Sequence, residues 1–239
     1  MCHLRTGKTM FQPVKIAPSI LSADFMNLQA DIEMIEEGGA GYVHVDVMDG
    51  HFVPNLTIGV PHVKQLKKIA NIPLDVHLMI SNPLEQLPWF LDAGADMVTV
   101  HAETLEGQWL DRAIDMIHDA GAQACVALKP NTPVDVIASV IGKLDMVLVM
   151  SVEPGFSGQG YIEGSEDKVA QVVAMAREAG HDLLIEVDGG IGVKTVERVC
   201  AAGADVIVCG NAVYAADDPK AAIAQIAQLG NDARLAALD

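Results

Sequence analysis

The 239-residue sequence predicts a single α/β domain whose eight strand-helix units close into a (β/α)8 barrel. Three observations carry this reading. A glycine-led phrase recurs ahead of apolar runs, eight such runs are present in all, and amphipathic stretches separate them with no linker or break in composition. The phrase occurs as Gly39-Ala40-Gly41-Tyr42, Gly94-Ala95-Asp96, Gly121-Ala122-Gln123, Gly180-His181-Asp182 and Gly203-Ala204-Asp205. Each follows a helical pattern, where glycine suits the left-handed position that ends a helix.

Taken in chain order, the first run is Lys15–Ile20, followed by an apolar face of helical period over Phe25–Glu37. Strand Val43–Val47 leads to helix Val60–Ala70, strand Leu74–Met79 to helix Leu84–Ala93, and strand Met97–His101 to helix Trp109–Ala120. The second half repeats the arrangement. Strands Ala124–Leu128, Met146–Met150, Leu183–Val187 and Val206–Cys209 precede helices Val134–Ile141, Lys168–Ala179, Thr195–Ala202 and Ala221–Ala227. The expected TIM barrel spans residues 13–230, with residues 1–12 a loose extension, Met10 an alternative start, and residues 231–239 a C-terminal tail. A doubly wound open sheet is the alternative architecture.

Composition narrows the partners. With 51% hydrophobic and only 4% aromatic residues, the interior is built from aliphatic side chains. A formal charge of −17 repels nucleic acid and anionic membranes, so an anionic ligand has to be captured locally. No apolar run approaches the roughly 18 residues needed to cross a bilayer. Met1 to Gln12 has no apolar signal core. Cys2, Cys125, Cys200 and Cys209 are widely spaced without a CxxC pair, as expected of free thiols in a cytoplasmic protein. Apolar residues on the outer helices leave room for a homo-oligomer.

The segment Tyr42 to His51 holds the strongest chemical signal. Strand side chains alternate, so His44, Asp46 and Met48 share one face while Val43, Val45 and Val47 share the other. Burying a polar group without a partner costs about 2–7 kcal/mol. A metal ion or an obligatory hydrogen-bond network would offset that. Barrel active sites occupy the C-terminal ends of the strands, and the unusual residues gather there: Ser19 on the first strand, His44 and Asp46 on the second, His77 and Met79 on the third, Met150 on the sixth, Asp188 after the seventh. His44, Asp46, His77 and Asp188 form a nitrogen and oxygen set suited to one divalent ion, with Zn, Fe, Mn and Co all compatible. His101, at the end of the fourth strand, is expected to be an ordinary satisfied core histidine. Met48, Met79 and Met150 would form a soft, water-poor wall.

Glycine clusters follow the last three strands: Glu153 to Gly160, Asp188 to Gly192, and Cys209 to Ala212. Glycine lets backbone amides approach an anion closely, and the loops after the last strands are the usual phosphate site of barrel enzymes. The expectation is a phosphate cradle that uses neither Lys nor Arg. The loop Gly155–Gly164 has the glycines to act as a lid. A Schiff-base mechanism has one candidate, Lys129, and the adjacent Pro130 points to a turn instead.

These motifs resemble the ribulose-phosphate 3-epimerase family. Pro18 to Asp24, His44 to Asn55, Asp75 to Met79, Val152 to Phe156 and Glu186 to Gly190 follow the family's motifs in order, over roughly Lys15 to Ala227. The resemblance implies a cytoplasmic TIM barrel of the ribulose-phosphate-binding type that interconverts ribulose 5-phosphate and xylulose 5-phosphate in the pentose phosphate pathway. It implies that His44, Asp46, His77 and Asp188 bind the metal, and that Ser19 and His77 contact the substrate beside Met48, Met79 and Met150. Gly155, Phe156, Ser157, Gly158, Gly189, Gly190, Gly210 and Asn211 would surround the phosphate. Ser157 stands where the family commonly has glycine, and Asn211 where it commonly has serine.

The chemistry is consistent with that resemblance. Inverting C3 of a 2-ketose phosphate removes a proton beside the C2 carbonyl and returns one to the opposite face, which calls for two groups on opposite sides of the sugar. Asp46 and Asp188 are the expected pair, alternating as base and acid, with the ion stabilising a cis-enediolate. A six-carbon substrate such as allulose 6-phosphate would need the same machinery. A non-catalytic phosphosugar-binding barrel would not need opposed carboxylates.

Overall fold

The structure, a computed structural model, describes residues 12–105 and 107–238. Cys2, Met10 and the rest of residues 1–11 in the expected extension lie outside the described residues. Eight parallel strands are present: β1 (Lys15–Pro18), β2 (Val43–Met48), β3 (Leu74–Met79), β4 (Met97–His101), β5 (Gln123–Leu128), β6 (Met146–Met150), β7 (Leu184–Asp188) and β8 (Val206–Cys209). Their order is β1-β8-β7-β6-β5-β4-β3-β2. The ring closes between β1 and β2 through a bridge pairing Ser19 with His44 and a 2.8 Å hydrogen bond from Gly41 N–H to the Ile16 carbonyl. The barrel expectation is met and the open sheet is set aside.

Alternation along each strand sorts side chains into two cores. Val43, Val45, Val47, Val76, Leu78, Val98, Val126, Val147 and Ile185 point outward into a shell of helix side chains. The inward faces differ by level. Ala17, Met97, Cys125, Met146, Val206 and Val208 fill part of the barrel interior, and ionisable groups occupy the same faces at other levels. His44 stands opposite Asp75 and Asp46 opposite His77 across the β2–β3 ladder, and Met48 stands opposite Met79 at the mouth.

The helices are α1 (Leu28–Glu37), α2 (Val60–Ile69), α3 (Pro83–Asp92), α4 (Gln108–Asp119), α5 (Ser165–Glu178), α6 (Val196–Ala202), α7 (Asn211–Tyr214) and α8 (Pro219–Ala236). Two expectations fail. The helix expected over Val134–Ile141 is instead a pair of 3-10 turns, Val134–Ile137 and Ile141–Lys143. Val134, Val136, Ile137, Val140 and Ile141 are β-branched, and Gly142 follows, so the segment has low helical propensity. The expected C-terminal tail is also corrected, because α8 continues through residues 231–236. Gly230 does not break this helix. A side chain there would press on Cys200 Sγ, so its absence lets α8 lie close to α6. Asn231 Oδ1 then accepts the Val14 N–H at 2.8 Å, and Arg234 pairs with Asp205.

Cys125, Cys200 and Cys209 are free and buried, as expected. Burial pushes all three thiols up, Cys200 to about 12, so none is a ready nucleophile.

One carboxylate ties the loop after β2 to the end of β3. Asp49 accepts hydrogen bonds from the N–H groups of His51 (2.8 Å), Phe52 (2.9 Å) and Ser81 (2.7 Å), and from the Ser81 hydroxyl (2.7 Å). Burial works against its charge, but the Ser81, His51 and Phe52 amides outweigh it and hold its pKa at about 2, against 3.8 ordinarily. A depressed folded value means this stabilisation is complete above about 3.8 and disappears as pH falls through about 2. Asp49→Ala is expected to lower the urea unfolding free energy by about 1–2 kcal/mol at pH 7. The gap from the parent should narrow as the titration is repeated towards pH 2, and a gap independent of pH would contradict this account.

Candidate active site

The four residues expected as ion ligands come together at the C-terminal end of the barrel. His44, Asp46, His77 and Asp188 each offer one nitrogen or oxygen, and these atoms all lie within 4.8 Å of one another. They come from β2, β3 and β7, so no local segment could form the cluster alone. The His44 ring is fully buried, and its Nδ1 lies 2.6 Å from Asp75 Oδ2. A carboxylate only accepts, so Nδ1 carries the donated hydrogen and Nε2 faces the cluster. That Nε2 is buried without a hydrogen-bond partner, 3.4 Å from Asp46 Oδ1. An orphaned imidazole nitrogen beside a carboxylate fits a cation-binding position. The donor set of two imidazoles and two carboxylates suits a divalent first-row ion.

The charges in the cluster are uneven. Burial opposes ionisation of Asp46, but His44 and then His77 outweigh it and hold the carboxyl well below the usual range. Asp188 moves the other way. Burial, and then the charge of Asp46, raise it from 3.8 to about 6. His44 is pushed down by burial but pulled further up by Asp75 and Asp46. Beneath the cluster, burial and the adjacent Asp75 raise Glu186 well above the carboxylate range. Both Glu186 oxygens and Asp75 Oδ1 are buried without a partner donor. Two anions cannot rest there, and Glu186 keeps its proton.

Above the cluster lies a cavity of about 480 Å³. Ser19, Asp46, Met48, Met79, Met150 and Asp188 line its inner end. Gly155, Phe156, Ser157, Gly158, Gly189, Gly190, Gly210 and Asn211 also line it. Ser19 Oγ donates to Asp46 Oδ2 at 2.5 Å, which orients the carboxylate. Met48 and Met79 pack with Val53, and Met150 packs with Val152, so the methionine wall is present. Gly190 has φ +64°, and a side chain on it would collide with the backbone nitrogen of Tyr161. Ser22 Oγ lies 2.6 Å from Ser157 Oγ, which in turn donates to Asn211 Oδ1 at 3.4 Å. The two residues that depart from the family pattern therefore join three loops.

Two expectations need correction here. His77 does not line the cavity; its ring is fully buried, with Nδ1 3.2 Å from Asp46 Oδ1 and Nε2 2.9 Å from His101 Nε2. The glycine cradle is also not free of cationic side chains. Lys194, in the loop after β7, lines the cavity and is exposed. Lys129 is placed elsewhere, with Nζ 3.9 Å from the centre of the Phe52 ring.

Residues 15–214 match the model of the Ribulose-phosphate 3 epimerase family. The chain belongs to the ribulose-phosphate 3-epimerase family. It is 50% identical over 214 residues to the ribulose-phosphate 3-epimerase of Bacillus subtilis (strain 168), covering 89% of this chain and 98% of that protein. It is 45% identical over 208 residues to the chloroplastic ribulose-5-phosphate-3-epimerase of Arabidopsis thaliana, covering 87% of this chain and 74% of that protein. Among solved structures, KGPDC from Streptococcus mutans aligns with a TM-score of 0.69 at 13% identity, over 92% of this chain and 98% of that one. The 3-hexulose-6-phosphate synthase of Salmonella typhimurium aligns with a TM-score of 0.66 at 21% identity, over 91% and 99%. At these identities the two structures share the fold.

In this ribulose-phosphate 3-epimerase family member, sequence reasoning missed Asp75 and Glu186, although a signal for both exists. Each lies two residues before an expected ligand, on the same inward face, so the alternation that exposed His77 and Asp188 applies one step deeper. Glu103, which accepts from His101, and Lys194 lie beyond strand ends, where no period gives a direction.

Gly190→Ala tests the cradle. Because the new methyl group strains a left-handed residue against the Tyr161 backbone, the dissociation constant for inorganic phosphate is expected to rise about tenfold or more, roughly 1.4 kcal/mol, by calorimetry on a variant with unchanged circular dichroism. Unaltered phosphate binding would place the anion elsewhere.

Proposed function

We propose that this protein inverts C3 of D-ribulose 5-phosphate to give D-xylulose 5-phosphate, reversibly, by proton transfers at Asp46 and Asp188. The observation that carries the proposal is the pairing of two carboxylates at the inner end of one cavity, one held well below the usual range and the other raised to about 6. Paired titratable groups whose surroundings push their affinities for protons apart are suited to act as acid and base together. Family membership and the curated relatives support the same reaction.

Each step can be assigned to residues of the chain. The glycine loops and Lys194 hold the phosphate, which anchors the sugar with C3 near the carboxylates. One carboxylate removes the C3 proton, and the other returns a proton to the opposite face. Ser19 keeps Asp46 oriented through its hydroxyl. Met48, Met79 and Met150 exclude water while the enediolate exists. His44, Asp46, His77 and Asp188 would hold one divalent ion, Zn, Fe, Mn or Co, which when bound supplies Lewis-acid stabilisation of the developing oxygen charge. No helix among the described residues is long and apolar enough to cross a membrane, and we place the activity in the cytoplasm.

The test is isotopic. The protein, reconstituted with each divalent ion, is incubated in deuterium oxide with ribulose 5-phosphate and, in parallel, allulose 6-phosphate. One deuterium at C3 of the xylulose 5-phosphate is expected, with the pentulose turned over faster. Asp46→Asn and Asp188→Asn should each slow turnover by about a hundred- to ten-thousand-fold while circular dichroism stays unchanged. Near-normal epimerisation by either variant defeats the two-carboxylate mechanism, and absence of exchange in the parent indicates a binding protein.

The loop Gly155–Gly164 closes over the phosphate in this reading. It is already tethered at its base, where the Asn55 side chain donates to the Gly155 carbonyl at 2.9 Å, while the adjacent Phe156 is 53% exposed. Limited proteolysis should cut there, and saturating inorganic phosphate should slow that cleavage. Equal cleavage with and without phosphate rules out a lid.

A further inference from the structure

The histidine expected to be bland, His101, sits at the middle of a buried chain of hydrogen bonds ending on an ion-facing nitrogen. His101 Nδ1 lies 3.0 Å from Glu103 Oε2, and His101 Nε2 lies 2.9 Å from His77 Nε2. His77 Nδ1 then faces Asp46 Oδ1 at 3.2 Å. Both rings are fully buried and nearly stacked, with centroids 5.0 Å apart and planes at 28°. The Phe52 ring covers His101 at 4.7 Å.

With a divalent ion at His77 Nδ1, hydrogen-bond chemistry allows one assignment of these protons. The Nδ1 lone pair would be taken by the ion, so the hydrogen of His77 would sit on Nε2 and be donated to His101 Nε2. His101 would then carry its own hydrogen on Nδ1 and donate it to the Glu103 carboxylate, which can only accept.

The direction of this chain is set from outside the cluster. Glu103 Oε1 accepts the Lys129 N–H at 2.8 Å and the Thr132 hydroxyl, and this directs its other oxygen to His101. The same loop is pinned by Lys168 on α5, whose ammonium donates to the carbonyls of Lys129 (2.7 Å), Pro130 (2.6 Å) and Thr132 (2.8 Å). Burial lowers the Lys168 pKa, against the opposing pull of the Glu103 charge.

We propose that Glu103 and His101 are positioning residues that fix the tautomer of His77, so that its Nδ1 lone pair is always presented to the divalent ion. Neither touches substrate. The proposal rests on the ion site in the proposed function, and the experiment separates the two. Glu103→Gln is nearly isosteric. Its amide oxygen is retained by the Lys129 N–H, so its amide nitrogen faces His101 as a donor. That reverses every bond in the chain and places a hydrogen on His77 Nδ1.

The experiment is competition between the metal-stripped full-length protein and a chromophoric chelator for Co(II), with the Co(II) absorption bands recorded on each complex. Glu103→Gln and His101→Leu are each expected to weaken Co(II) binding by about ten- to a hundred-fold and shift the bands. The double variant should be no weaker than either single one, because the residues act in series. Thr132→Val, which removes one of the two bonds that orient Glu103 but leaves the Lys129 N–H and both imidazole bonds, should lose clearly less affinity than either single variant. Parent-like Co(II) affinity in Glu103→Gln, equal losses in Thr132→Val, or additive losses in the double variant would overturn the relay. Failure of the parent itself to bind Co(II) overturns the ion site on which the relay depends.

Discussion

The constraint on which the rest depends is the dryness of a closed parallel barrel. Its interior is filled by side chains and offers little water to satisfy a polar group. This barrel nevertheless places His44, Asp46, Asp75, His77, His101 and Glu186 on inward faces, all of them buried. An arrangement so costly persists only when each group is paired, neutralised or kept for a ligand. The structure uses all three. Asp75 pairs with His44, Glu186 keeps its proton, and His44 Nε2 is left facing the cluster.

That economy also explains the division between Asp46 and Asp188. Asp46 is surrounded by donors and imidazoles, with Ser19, His44 and His77 about it, and so its charge is stabilised. Asp188 sits across from it and bears the cost of a second negative charge nearby. A carboxylate beside a bound cation is ordinarily a weak base. Here burial acts with the charge of Asp46 to raise Asp188.

The barrel was legible because β-strand alternation and helix-closing glycines recur along the chain, and both are local signals. The fifth connection was misread because Val134 to Ile141 has a helical spacing of apolar residues but side chains that stiffen the backbone against a helix. α8 runs past the expected Ala227, with Gly230 packed on Cys200 inside it. At the site, the four convergent residues could be found from strand ends alone. Their orientation could not. His77 Nδ1 faces the cluster and its Nε2 reaches Glu103 through His101, and Glu103 is in turn held by Lys129 and Thr132, contacts separated by 26 to 29 positions in sequence. Lys194 escaped notice because a loop has no period to reveal where its side chains point.

The single bridge between Ser19 and His44 has a mechanical meaning. Elsewhere around the ring, neighbouring strands are joined by ladders of three to six registered pairs, whereas β1 and β2 are linked by this single bridge and the Gly41–Ile16 hydrogen bond. The ring thus has a seam, and the seam lies at the cluster. A cation held by His44 and Asp46 on one side and by Asp188 on β7 on the other would tie the strands across this seam. Its binding free energy would then count towards keeping the barrel shut. The same ion would serve as catalyst and as fastener, so a chain that lost it would loosen first where the chemistry takes place.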